Sequence, residues 1–563
     1  MRAADALALC LKAEGVPFVA GITSGSTMEV ADALLAAPEI RTILTRHERV
    51  AADLVDGYAR VSGKPGICLA VMGPGAAHVF AGLAQSYADS VPVLALLGQT
   101  TRARAGATSA QEMQLQEIFR NVTKWESVIN LPWRVPEIVR QAFNQLKNGR
   151  LGPVMLEMPS DVMAASLDDS SFTYQPVPAT SKWRPSAASV EMAAGMLMEA
   201  RRPLIYAGSG VLQARATPEL VRVAELLSAP VMTSLGGKSA FPENHALSLG
   251  LGGFPQSRLG TGMAHKFAQQ TDCLFAIGNG FRDMATSTAP WPAGVKMIHS
   301  HVDFAEIHRN YMADVALVGD AKLVLADLAV ALEDRLSKDR RLVRPEVVAE
   351  VAKAKQEWLA MWMPVLTSDE VPLNPLRVTW DFMHTVDRDK TILTHDAGAV
   401  RGHTCHHYEA TVPFGFVGMG MQSEMGWSLG AAMGMKLACP EKLVATAIGD
   451  GSFGMVGLDL ETAVRSQIPT LTLLYNNRSM GIVMDIQQAQ FGSRFTMVDL
   501  GGDYVGVARA LGAYAERVER PDQIVPAVKR AVRKTEEGVP AVVEFVTKQL
   551  EPQPGPTSRP GSD

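Results

Sequence analysis

Asp450 stands between two glycines at the end of one apolar run, and Asn477 closes the next apolar run, in LVATAIGDGSFGMVGLDLETAVRSQIPTLTLLYNN (443–477). A run as short and apolar as 443–448 reads as a buried parallel strand. Gly449-Asp450-Gly451 is then a turn, Ser452 opens a helix reaching about Gln467, and 470–475 is the next strand. Neighbouring parallel strands place their C-terminal ends side by side, where ligands bind in such sheets. A carboxylate, an amide oxygen and a nearby backbone carbonyl are hard ligands suited to Mg²⁺ in contact with phosphates. The free N–H groups of a helix beginning at Gly451 and Ser452 can hold a phosphate. Gly449 and Gly451 let the backbone turn sharply and approach it. The stretch therefore reads as a Mg²⁺-diphosphate site, against the plainer reading of an ordinary strand-to-helix turn.

GDG, a βαβ unit and a closing NN resemble the diphosphate signature of thiamine diphosphate (ThDP) enzymes. The resemblance implies Asp450 and the Asn477 side chain on the metal, with the backbone carbonyl of Ser479 as third protein ligand. A second stretch, 45–99, carries RHE, GYAR, SGKPG, GPG and SVP…GQ in that order. By itself Glu48 is only a carboxylate favouring the positive end of the helix it precedes. Together these motifs look like the pyrimidine-binding domain of ThDP enzymes, most of all of acetolactate synthases (acetohydroxyacid synthases). That implies Glu48 as the hydrogen-bond partner of the cofactor's aminopyrimidine, since a carboxyl in a dry pocket can share a proton with a ring nitrogen. The organic chemistry belongs to the cofactor. VGMGMQSEMGWSLGAAMG (417–434) is similar to the segment that bends the cofactor, with Met425 as the apolar wedge, and Asp396-Ala397-Gly398 to a loop near the diphosphate. The family also implies a homodimer or homotetramer with active sites at the subunit interface. The stretches HSHVDFAEIHRN and VALVGDAKLVLADL, from His299 on, resemble the acetolactate synthase middle domain, which leaves FAD as a possible further cofactor. The glycines of AGSG (207–210) and GNG (278–280) could approach a nucleotide, although neither is a full dinucleotide fingerprint.

Several positions depart from the family. Ile486 stands where acetolactate synthases carry a tryptophan that selects the second 2-oxo acid. Met284 stands where they carry an arginine, with Arg282 displaced by two. Losing an aromatic wall and a charge-assisted anchor implies an altered acceptor. Gln111 is kept and could touch substrate. The loop at Val71 and Met72 lacks the histidines of simple decarboxylases, and His78, one turn into the following helix, is a weak substitute. Glu424 reads equally as a substrate-facing acid/base and as a helix-start carboxylate. HTCHHY (403–408) lacks the paired spacing of a zinc site and reads as a solvated active-site loop.

The elements that must position these residues alternate helix and strand. In 1–165, helices fall at 4–14, 27–36, 49–61 and 75–89, and strands at 18–22, 41–45, 66–71, 91–97 and 154–158. A linker over 166–188 leads to a second unit (185–335) with strands at 203–207, 230–233, 273–277 and 296–299. A charged, then helical connector (336–372) precedes a third unit, 373–548, on the same plan as the first. Such alternation means parallel sheets covered by helices. The fold class is α/β, three doubly wound parallel-sheet domains: pyrimidine-binding, central and diphosphate-binding. The tail 549–563 has too few apolar residues to pack alone. As a lid its Arg559 would meet a CoA phosphate.

The chain has 563 residues, 47% hydrophobic and 20% charged, with net charge −5. Nothing in that balance suggests a nucleic-acid or anionic-membrane partner. Five scattered cysteines without a CxxC, and no secretory leader pattern or membrane-length apolar run, suit reduced thiols in the cytoplasm. The sequence thus predicts a ThDP- and Mg²⁺-dependent carboligase, acetolactate synthase-like, acting on a 2-oxo acid or related carbonyl donor with an aldehyde, 2-oxo acid or acyl-CoA partner. The alternatives are a 2-hydroxyacyl-CoA lyase or oxalyl-CoA decarboxylase-like enzyme, a benzoylformate-type decarboxylase, and a catalytically degenerate scaffold.

Overall fold

A computed structural model describes residues 1–180, 182–252, 261–282, 291–339 and 344–549. Among these, the strands form three six-stranded sheets, every pairing parallel. The first sheet holds β1 (Phe18–Gly21), β2 (Arg41–Leu44), β3 (Gly66–Ala70), β4 (Val93–Gln99), β5 (Trp125–Val128) and β6 (Val154–Pro159), in the order β2-β1-β3-β4-β6-β5. The second holds β7 (Pro203–Ala207), β8 (Val231–Thr233), β9 (Ser248–Leu251), β10 (Cys273–Ile277), β11 (Lys296–His301) and β12 (Val315–Val318), in the order β12-β11-β10-β7-β8-β9. The third holds β13 (Thr391–His395), β14 (Phe416–Val417), β15 (Leu443–Gly449), β16 (Leu471–Asn476), β17 (Tyr514–Val518) and β18 (Ala541–Val546), in the order β14-β13-β15-β16-β18-β17. Counted from its own first strand, the third sheet repeats the order of the first. The second has the reversal expected of a dinucleotide-type sheet, between β7 and β10.

Helices cover both faces because the central strands are apolar on both sides: β3 and β4 are buried throughout. The first and third sheets meet through two helices, Glu48–Ser62 and Trp427–Ala438. They cross backbone against backbone. A Cβ on Gly434 would lie 1.8 Å from the Leu54 carbonyl oxygen, and one on Gly57 2.1 Å from that of Ala431. Around the crossing, Trp427 Nε1 donates to Asp56 at 3.0 Å, and Arg60 bridges Asp56 and Asp89. This lock sets where the segment 424–426 lies relative to Glu48.

The linker after β6 packs on the first unit: Tyr174 and the Val177 N–H both bond the Glu14 carboxylate, and Val177 joins the core of that unit. The span 452–467 is not one helix. It runs Asp450–Val456, a tight turn Gly457–Asp459, then Leu460–Arg465, and it begins at Asp450 rather than Ser452. The second and third units are clasped by a buried ion pair, Lys238 to Glu243 at 2.5 Å, whose carboxylate also accepts the Ala410 N–H. All five cysteines are free thiols. Among the described residues, no helix is long and apolar enough to cross a membrane.

Candidate active site

β15 and β16 run in register, with Gly449 opposite Tyr475. Asp450 therefore leaves one strand beside Asn476, and Asn477 follows at once. Asn476 is spoken for within the fold: its Nδ2 donates to Glu544 and its Oδ1 caps Arg478. Asn477 turns its Oδ1 to the Ser479 N–H at 3.1 Å and its Nδ2 to Gln549. Asp450 is 3% exposed. Its Oδ1 accepts the Gly451 N–H at 3.0 Å, while its Oδ2 is buried with no protein partner, as is the Ser479 hydroxyl. Burial pushes the Asp450 carboxyl up to about 6, against backbone N–H groups that favour its charge. An orphaned carboxylate oxygen in such a place suits a cation.

Next to it the helix Asp450–Val456 presents its first N–H groups, and a Cβ at Gly449 would meet nothing within 4 Å. A Cβ on Gly398, which has φ +90° and precedes the helix Ala399–Cys405, would likewise meet nothing within 4 Å. Asp396 shapes this floor: it accepts the N–H groups of Ala397, Gly426 and Ser428. Met425, Met480 and Leu500 crowd around Gly451, where a Cβ would lie 3.5, 3.0 and 3.2 Å from them. The structure thus brings together Gly398, Met425, Gly449, Asp450, Gly451, Ser452, Asn477 and Ser479. The donors fit a divalent cation with a diphosphate.

Glu48 forms a second group. It opens its helix, is 8% exposed, and meets His78 Nδ1 at 2.9 Å. A Cβ on Gly75 would press on its Oε1 at 3.1 Å, so that glycine makes room for the carboxylate. Gln111 lies on an exposed loop at φ +65°, its backbone packed over Gly73 at the start of the helix Pro74–Asp89. Ile486 is 43% exposed on the helix Gly481–Phe491. Met284 lies outside the described residues, as do Arg559 and the rest of the tail from residue 550.

Glu424 lies between the two groups. It sits before the helix Trp427–Ala438, not in its first turn, buried 2.5 Å from Arg49 Nε. The same guanidinium is 3.8 Å from Asp53 and also bonds the Met425 carbonyl. Sequence reasoning missed Arg49 and Asp53, although their i, i+4 spacing on one helix puts them on one face. Burial, with Asp56 and Asp396 nearby, pushes the Glu424 carboxyl up to about 7 despite Arg49. Burial raises Asp53 as well. The folded state therefore holds a proton that the unfolded chain releases. Stability from this group is full below the ordinary glutamate range near 4.5 and is lost as pH rises through about 7. Between pH 5 and pH 8, denaturant unfolding should show wild type losing roughly 1–3 kcal/mol more than Glu424→Gln. Equal losses would refute the proton held at Glu424.

HTCHHY is not a solvated loop. His403 and His407 are buried, His403 against Tyr475 and His407 between Trp358 and Trp362. In the second sheet, the glycines expected to face a nucleotide face one another. A Cβ on Gly208 would meet the Gly278 carbonyl oxygen at 2.2 Å, and Gly210 N–H donates to that same oxygen. They bring the ends of β7 and β10 together beneath a cavity of about 620 Å³ lined also by Arg150, Arg215, Arg282, Ser300 and His301.

Family models agree in sequence with this layout. The thiamine pyrophosphate enzyme N-terminal TPP binding domain matches residues 1–120, the central domain 190–328 and the C-terminal TPP binding domain 396–545. The chain is 34% identical to a probable acetolactate synthase large subunit of Methanocaldococcus jannaschii, over 98% of this chain and 93% of that protein. It is 31% identical to an acetolactate synthase large subunit of Corynebacterium glutamicum, over 97% and 87%. It is also 30% identical to a glyoxylate carboligase of Escherichia coli O157:H7, over 98% and 94%.

Proposed function

Because the chain belongs to the thiamine pyrophosphate (ThDP) enzymes, we propose that it is an acetolactate synthase-like carboligase. It joins a 2-oxo acid or related carbonyl donor to an acceptor that differs from the usual one. The observation that carries this reading is the buried, unpartnered Asp450 Oδ2 beside Asn477 and a helix start. Asp450, Asn477 and the Ser479 carbonyl would hold Mg²⁺. The N–H groups of Gly451 and Ser452, with the open backbone at Gly449 and Gly398, would hold the diphosphate. When bound, ThDP supplies the carbon nucleophile that attacks a carbonyl.

The protein's own residues do the rest. Glu48 would exchange a proton with the cofactor ring. Met425 would pack against it, and Met480 and Leu500 line the wall around Gly451. Buried Glu424, locked to Arg49, positions the 424–426 segment rather than reaching out to substrate. Gln111 and Ile486 are both exposed and so free to meet an acceptor. An aliphatic side chain at 486 leaves a wall suited to a smaller or more polar acceptor than an aromatic one would select. A relative named as a glyoxylate carboligase supports ligation onto an aldehyde acceptor. The reading includes a homodimer or homotetramer, in which Glu48 of one subunit serves the diphosphate site of another, and a cytoplasmic location. It also includes FAD in the cavity between β7 and β10, where a strand-order reversal and three arginines suit a dinucleotide.

The test is mass spectrometry of products after incubation with ThDP, Mg²⁺ and a pool of 2-oxo acids, aldehydes and acyl-CoA esters. Donor cleavage with a new carbon–carbon bond is the expected result. Free aldehyde or formyl-CoA without ligation would replace it with the decarboxylase or lyase reading. Bound ThDP without any turnover would leave the scaffold.

A further inference from the structure

His78 was passed over in the sequence because it lies a full turn into its helix. That turn is what aims it. Gly75 and His78 share one face of the helix Pro74–Asp89 at i, i+3, and that face covers Glu48. Gly75 makes room for Oε1 of the carboxylate, and His78 Nδ1 stands 2.9 Å from Oε2. On its other side the His78 ring lies 4.4 Å from the ring of His47. His47 is itself fixed, since its Nδ1 accepts the Arg49 N–H as the cap of the Glu48 helix. The charged groups around His78 are thus Glu48, His47 and Arg49, and the Arg49 guanidinium is turned away to Glu424 and Met425. Glu48 is buried, whereas the His78 side chain is 47% exposed.

We propose that His78 is the positioning residue of Glu48 and its proton link to water. Resting on the ThDP reading above, this gives Oε1 to the cofactor and Oε2 to the imidazole. A neutral ring with its proton on Nδ1 donates to Oε2 and leaves Nε2 toward solvent. When Glu48 has given its proton to the cofactor ring, Nε2 takes one proton from water as Nδ1 releases one to Oε2. The imidazole ends neutral and the carboxyl is reloaded. Without the link, a buried carboxylate must exchange protons with water through its own narrow opening.

The contact and the role are tested separately in the full-length protein. In the cofactor-free chain, the ¹⁵N signal of His78 Nδ1 should shift on Glu48→Gln; no shift overturns the contact. With ThDP and Mg²⁺ bound, hydrogen–deuterium exchange at the reactive carbon of ThDP should fall about 10²-fold in His78→Ala, with cofactor affinity within threefold of wild type. Free imidazole should restore the exchange, because the site is open to solvent. His78→Asn keeps a donor for Oε2 but cannot pass a proton, so it should bind cofactor normally and exchange as slowly as His78→Ala. Unchanged exchange in both variants overturns the proposal. So does a loss that imidazole leaves in place while the melting temperature drops, which marks a structural role. Failure of wild type to bind ThDP would instead strike the cofactor reading, and the NMR comparison would still decide the contact.

Discussion

Glu48→Gln is expected to lower turnover by two to four orders of magnitude while the protein still binds ThDP and Mg²⁺. The substitution keeps the size of the side chain and an oxygen that can accept from His78. It removes the one function that an amide cannot supply, which is to hold and return a proton at the cofactor ring. The groups proposed to bind ThDP and Mg²⁺ lie elsewhere, at the ends of β15 and β16 and at the starts of the helices beginning at Ala399 and Asp450. Affinity measured by quenching of tryptophan fluorescence should therefore stay near wild type as proton exchange at the cofactor collapses. The helix crossing at Gly57 and Gly434 is untouched, so the melting temperature should not move. Full activity in this variant would remove Glu48 from the mechanism. Loss of binding and activity together would make it a binding residue.

Which parts of this were legible in the sequence follows from what each signal depends on. β7 and β10 fall on the residues expected, because a strand buried on both faces is a bare apolar run between turn residues. β5 was missed. Its four residues, Trp125–Val128, are all half-buried and carry a glutamate and a serine, as an edge strand allows. β9 and β12, at the two edges of the second sheet, were missed because each is only four residues long, too short for a clear apolar run. The helix expected over 452–467 breaks at Gly457, where a Cβ would strike the Phe453 ring at 2.7 Å. The meeting of 449–452 with 477 could be read from chain order alone, since adjacent parallel strands bring their ends together. The Glu48–His78 contact and the Arg49–Asp53–Glu424 cluster could not. The first needs the angle at which one helix lies over another, and the second needs two units far apart in sequence to lock at glycines. The histidines of HTCHHY misled because their polarity suggested solvent, whereas aromatic neighbours cover them, Tyr475 of β16 beside His403 and two tryptophans of the connector helix Pro345–Leu366 beside His407.

Asp450→Ala should give the largest effect, and its sign should depend on whether metal is present. In the metal-free chain Asp450 is a cost. Its carboxyl is buried, one oxygen has no partner, and burial has pushed it up to about 6. Near neutral pH it is charged with only backbone N–H groups to favour that charge and one oxygen unpartnered, and a buried unpaired polar group costs about 1–3 kcal/mol. Replacing it by alanine removes that penalty together with the bond to the Gly451 N–H, so the metal-free variant should melt at or above the wild-type temperature. With Mg²⁺ and ThDP the order reverses. Removing a group that merely orients a metal ligand already costs about 10–100-fold in affinity, and removing a ligand should cost at least about 100-fold. At ligand concentrations near 100 Kd, wild type gains about 2.7 kcal/mol from binding, and the variant should gain almost none. Asn477 and the Ser479 carbonyl remain, but they are neutral and cannot replace the charge that draws Mg²⁺ out of water. Cofactor affinity should fall with metal affinity, because the diphosphate is held through the ion as well as by the helix start. Differential scanning fluorimetry of both proteins, with and without Mg²⁺ and ThDP, reads all four states. An equal ligand-induced rise in the two would refute the metal role of Asp450. A variant that melts lower than wild type without ligands would show that the carboxylate serves the fold rather than a cation.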